Sequence, residues 1–157
     1  ENSFLAMNIV YDSLIRAMKE SGIEYNVENA EYVWFSLYFA ANTIGDTYHG
    51  GTVAYSDDMM KLYVPKQVME EYGYACFSNF NELPDIPDTI DFVRYDAYYS
   101  YSSGKQKKEG TFEVIVEKYV ADVKSGETYI FTLTINKKAV GYLEATYPYS
   151  VEMFSKE

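Results

Sequence analysis

Cysteine, histidine and tryptophan occur once each, and the 13 basic residues are outnumbered by 24 acidic ones. Each scarcity closes off a class of function. A lone Cys76 forms no intrachain disulfide, so stability must come from packing, and cysteine usage says little about compartment. A lone His49 lacks the second His or Cys that a transition-metal site needs. The net charge of -11 repels a phosphate backbone, which is gripped by clustered Lys and Arg, so nucleic acid is set aside as a partner. No apolar run reaches the roughly 20 residues of a spanning helix, and no membrane span is expected. No nucleophile motif, phosphate-binding loop or ligand cluster stands out, so neither a catalytic residue nor a metal or other cofactor is called for.

What is present points to one globular domain over residues 1–157. A chain of this size buries roughly 68–70% of the surface it would expose unfolded, and 48% hydrophobic residues suffice for such a core. Tyrosine is the unusual residue: 18 Tyr outnumber 9 Phe. A large ring with a polar tip suits half-buried sheet faces, cavity walls and recognition surfaces. The simpler account is that strands favour aromatics. The opening Glu1-Asn2-Ser3 lacks Met, which suggests an upstream segment such as a signal peptide and hence an extracellular or cell-surface location.

Helical periodicity dominates the first half. Leu5, Met7, Val10, Leu14, Ile15 and Met18 recur at helical spacing between Asn2 and Ser21, with Gly22 as a left-handed cap, which predicts an amphipathic helix. Asn29 is a favourable N-cap for a second helix running towards Gly45. That helix is apolar on nearly every side, so it should be buried, with Trp34 in the core. A glycine loop with His49 precedes a short edge strand over Met59 to Tyr63. Pro65 then opens a third helix with Val68, Met69, Tyr72, Cys76 and Phe77 on one side. A stiff connector with Pro84 and Pro87 follows.

The second half alternates with period two. Four strands are expected over Phe92–Ser102, Thr111–Val123, Glu127–Asn136 and Val140–Tyr149. The second changes parity from Phe112, Val114 and Val116 to Tyr119, Ala121 and Val123, which predicts a bulge residue near Glu117 or Lys118. In the third, Tyr129, Phe131, Leu133 and Ile135 should face the core. Turns are expected at Ser103-Gly104-Lys105, Lys124-Ser125-Gly126 and Lys137-Lys138. The fold class is therefore α+β: N-terminal helices packed on a curved, bulged antiparallel four-stranded meander.

This element order, the bulge signal and the alternation from Tyr129 to Ile135 resemble the nuclear transport factor two-like (cystatin-like) superfamily. The resemblance implies a cone-like sheet wrapped around helices, with a cavity. Val64-Pro65-Lys66-Gln67-Val68, Cys76-Phe77 and Leu83-Pro84-Asp85-Ile86-Pro87, followed by a Tyr-rich strand, are also similar to exported proteins of gut-dwelling anaerobic bacteria. That likeness implies a location without an activity.

Members of the superfamily include isomerases and dehydratases, which use a cavity carboxylate or His as base and a Tyr to hold an oxyanion. Asp96, Glu113, Glu117 and Glu144 are the sheet acids of interest, with Tyr95, Tyr98 or Tyr99 as donors, though each acid suits a solvent face as well. Asp46, Asp57 and Asp58 lack calcium-loop spacing and suit helix capping better. Lys105-Gln106-Lys107-Lys108 reads as a solvated hairpin tip. The leading expectation is a non-catalytic binding module for a small molecule, glycan or protein ligand. Its candidate site is a concavity or sheet face bearing Tyr95, Tyr98, Tyr99, Tyr101 and Tyr147. The alternatives are a small cone-fold isomerase or dehydratase, and a structural domain that forms a homodimer through the sheet.

Overall fold

Helix α1 spans Asn2–Ser21 and stops where the sequence says it should: Gly22 has φ +71° and its N–H donates to the Met18 carbonyl at 2.9 Å. In the computed structural model the described residues are 2–44, 54–55, 62–63, 66–85, 98–108, 110–138 and 147–157. Side chains are described for 7–41, 66–85, 110–138 and 147–157. Helix α2, Ala30–Ile44, is capped by Asn29, whose Oδ1 accepts the Tyr32 N–H at 3.0 Å. Strands β1, Ala54–Tyr55, and β2, Leu62–Tyr63, pair antiparallel. Helix α3 covers Lys66–Cys76 and buries Val68, Met69, Tyr72 and Cys76. Strands β3 Tyr98–Lys108, β4 Thr111–Val120, β5 Val123–Ile135 and β6 Tyr149–Lys156 form an antiparallel sheet in chain order.

Helix α1 departs from the amphipathic expectation. Every residue from Val10 to Ala17 is buried, including Asp12, Ser13 and Arg16. The cause is position: α1 runs against α2, α3 and β3, so its polar stripe has no route to solvent and its charged members pair with one another. Helix α2 is enclosed as its composition implies, with Trp34 only 5% exposed and its Nε1 donating to the Pro84 carbonyl at 2.7 Å. The Tyr32 hydroxyl donates to the Leu14 carbonyl at 2.8 Å, joining α2 to α1.

The strands are antiparallel as expected, but the expected set of four is not the set found. Of Phe92–Ser102, only residues from Tyr98 onward are described, and the strand runs on through Ser103-Gly104-Lys105 to Lys108. The turn foreseen there is displaced to the end of β3, beside Gly110, which has φ +76°. Val140–Tyr149 lies outside the described residues up to 146, and the last strand is Tyr149–Lys156. The turn foreseen at Lys124-Ser125-Gly126 is instead the two residues Ala121 and Asp122, both at positive φ, between the paired Val120 and Val123.

The irregularity foreseen near Glu117 is present, but on the other strand. Lys118 of β4 alone stands opposite Ser125, Gly126 and Glu127 of β5, and Gly126 has the φ of +87° that such a detour requires. Ala121 and Val123 are exposed at the hairpin tip and form no second core face. Tyr129, Phe131 and Leu133 are buried, whereas Ile135, at the strand's end, is 55% exposed.

Candidate functional site

Helical periodicity divides α3 into two stripes. One packs into the core; the other carries Gln67, Glu70, Glu71 and Tyr74, three to four residues apart and exposed or half-buried. Facing that stripe is the corner where β5 ends and β6 begins, presenting Asn136, Lys138 and Tyr147. The two sides enclose a concavity of about 240 Å³. A second, of about 350 Å³, adjoins it across Tyr74, Asn136 and Lys138 and continues past Ser78, Ser150 and Glu152.

The walls are held by hydrogen bonds to backbone. Ser150 Oγ donates to the Tyr74 carbonyl, and the Ser78 N–H donates to the Val151 carbonyl at 2.8 Å. Asn136 is buried: its N–H donates to Pro148 O, its Nδ2 to Tyr147 O, and its Oδ1 accepts the Lys138 N–H, each within 3.1 Å. A small polar residue therefore shapes both the turn and one wall. Tyr74 meets Phe80 edge-on, with ring centroids 5.1 Å apart. The exposed Lys138 places its ammonium 5.7 Å from the Tyr74 ring centroid.

A second cluster lies between α1 and the sheet. Arg16 Nε is 2.9 Å from Asp12 Oδ1, and Lys19 Nζ is 2.5 Å from Glu127 Oε1. The Tyr129 hydroxyl donates to Glu127 at 2.5 Å, and Lys118 Nζ approaches its other oxygen at 3.7 Å. Burial raises the Asp12 carboxyl to about 7, outweighing the pull of Arg16. At Glu127 burial works in the same upward direction, but hydrogen bonds from Lys19 and Tyr129 prevail and hold it down at about 2. A general base at neutral pH needs intermediate acidity and access to a reacting group. Glu127 lacks the first. Asp12 has it, yet lines neither concavity.

Of the tyrosines foreseen as a binding site, Tyr147 is the one whose side chain is described. Tyr95 is outside the described residues. Tyr98, Tyr99 and Tyr101 stand on β3, opposite Tyr119, Lys118 and Val116, and their side chains are not described. Tyr147 leads into β6 at the far edge of the sheet, about 14 Å from β3 at the usual strand spacing. Tyr147 is 1% exposed, edge-on to Tyr72 at 6.3 Å, and borders the smaller concavity. Tyr11, Tyr25, Tyr32 and Tyr129 belong to the core and its packed margin. The Tyr25 hydroxyl donates to Val151 O at 2.5 Å while its ring stacks on Phe77.

Among the sheet acids, Glu113 and Glu117 are half-buried, and Glu117 pairs with Lys124 at 2.5 Å. Asp96, Glu144, His49, Asp46, Asp57 and Asp58 lie outside the described residues. Lys105 to Lys108 form the end of β3, with side chains not described. Burial pushes the Cys76 thiol up to about 12, leaving an inert side chain. Among the described residues no helix is long and apolar enough to cross a membrane, and no three His, Cys, Asp or Glu side chains gather as metal ligands do. The α3 stripe escaped the reading of the sequence, although its signal, polar residues at i, i+3, i+4 and i+7, was present. No family model, curated protein or solved structure matches this chain.

Proposed function

We propose that the chain is a non-catalytic binding module, extracellular or at the cell surface, which receives a small molecule, glycan or protein segment in the groove between α3 and the β5–β6 corner. One observation carries the reading: a half-buried aromatic ring, two carboxylates and two amides converge on a concavity whose walls are pinned by backbone hydrogen bonds. Apolar surface with a few oriented polar groups on fixed walls is the usual make-up of a ligand site, and preorganised walls lose little entropy on binding. The bulges on β3, β5 and β6 support a bent sheet of the cone-like kind.

The test is a thermal-shift screen of amines, saccharides and short peptides against the whole chain, followed by amide chemical-shift mapping. Binding should perturb Glu70, Tyr74, Asn136 and Lys138 together, and Tyr74→Ala should weaken it at least tenfold. Ligands that bind while leaving these four amides unmoved would sink the reading.

A further inference from the structure

Within that reading, on which this step rests, we propose that the groove is built for a primary alkylammonium group and that Lys138 is its internal occupant. Lys138 already places an ammonium over the Tyr74 ring, within the roughly 6 Å at which a cation is drawn to a ring face. The structure thus displays the favoured chemistry with a group of its own.

The surrounding charges agree. Glu70 and Glu71 line the same concavity one helical turn before Tyr74, and among the described residues that border it Lys138 is the single basic side chain. A carboxylate or phosphate ligand would meet two carboxylates there. An ammonium meets two carboxylates, an aromatic face and the side-chain amide of Gln67. The net charge of -11 draws cations towards the molecule from a distance.

Displacement of the occupant costs the fold little. Lys138 is exposed, and the turn that carries it is held by its backbone N–H on Asn136 Oδ1, so its side chain can swing away while the turn stays formed. The volume of about 240 Å³ accepts a short alkyl chain, and the adjoining lobe gives the remainder of a longer ligand an exit. The same chemistry is offered by a free diamine and by a lysine side chain of a peptide.

The experiment titrates the whole chain with cadaverine, with N-acetyl-lysine N-methylamide, and with 1,5-pentanediol as a neutral isostere, followed by amide chemical shifts. Both amines should move Glu70, Glu71, Tyr74 and Lys138, with pentanediol at least tenfold weaker. Tighter binding of the lysine derivative identifies a peptide side chain, and tighter binding of cadaverine a free amine. Lys138→Ala should tighten amine binding three- to tenfold by vacating the ring, whereas Tyr74→Leu, which keeps apolar bulk, should weaken it about tenfold. If pentanediol or a neutral saccharide matches the amines at these amides, the groove stands as a binding site and the ammonium proposal falls. If no probe moves these amides, the ammonium proposal falls, and the groove reading is decided by the broader ligand screen. Amine binding indifferent to Lys138→Ala and Tyr74→Leu also overturns the proposal, since attraction to an acidic surface then accounts for it.

Discussion

Gly73 leaves no room for a methyl group. A Cβ built there would stand 2.5 Å from the Phe80 ring, inside the closest approach that carbon atoms tolerate. The ring is held by its edge-on contact with Tyr74 and by the Phe80 N–H donating to Phe77 O at 3.1 Å. Ala normally improves a helix, but overpacking of this kind costs about 1–3 kcal/mol. Gly73→Ala should therefore lower the urea midpoint, and Phe80→Leu in the same chain should recover part of the loss. An unchanged midpoint for the single variant would show that the ring moves aside freely. A glycine inside a helix reads locally as a defect. Only the neighbour four residues beyond the helix end explains it.

At the scale of the element, hairpin β4–β5 turns on residues poorly suited to the task. Ala121 and Asp122 have φ +49° and +65°, the left-handed pair that favours Asn-Gly. The double variant Ala121→Asn, Asp122→Gly should stabilise the chain by about 0.5–1 kcal/mol, seen as a higher urea midpoint with unchanged slope. A lower midpoint would mean that this turn is not formed. Turn chemistry is also why the strand ends differ from those the sequence predicts. Ser103-Gly104 and Ser125-Gly126 carry stronger local turn signals than Ala121-Asp122, but cross-strand pairing across β3, β4 and β5 overrode them. The sequence places Gly126 in a turn; its use in a bulge instead depends on the strand beside it. The helix ends behaved differently. Gly22 and Asn29 act within one turn of chain, so both were legible residue by residue.

At the scale of the whole molecule, the cluster between α1 and the sheet holds the carboxyl groups that, among the described residues, depart most from ordinary acidity. Asp12 is raised from 3.8 to about 7, so its contribution to stability is fully present below about pH 4 and lost as the pH climbs through 7. Glu127 is lowered from 4.5 to about 2, so its contribution is present above about pH 4.5 and lost as the pH falls through 2. The summed contribution of these two groups is greatest near pH 4–5. Repulsion within a chain of net charge -11 adds to the decline towards neutrality, so the decisive comparison is with Asp12→Asn. Between pH 4.5 and 8 the variant should lose distinctly less stability than the parent chain in urea titrations. Parallel pH profiles would show that Asp12 titrates as an ordinary carboxyl.

Short-range order along the chain, set by periodicity, caps and composition, was enough to establish the three helices found among the described residues, an antiparallel sheet in the second half, a buried Trp34 and a net acidic chain. Those features depend on neighbours within a few residues. The burial of Asp12 and Arg16, the enclosure of Tyr11, Tyr72, Tyr129 and Tyr147 in the core, and the meeting of α3 with the β5–β6 corner required the folded chain. Each depends on groups more than fifty residues apart, as when Ser150 closes on Tyr74, and no local pattern encodes which distant surface a stripe of side chains will face.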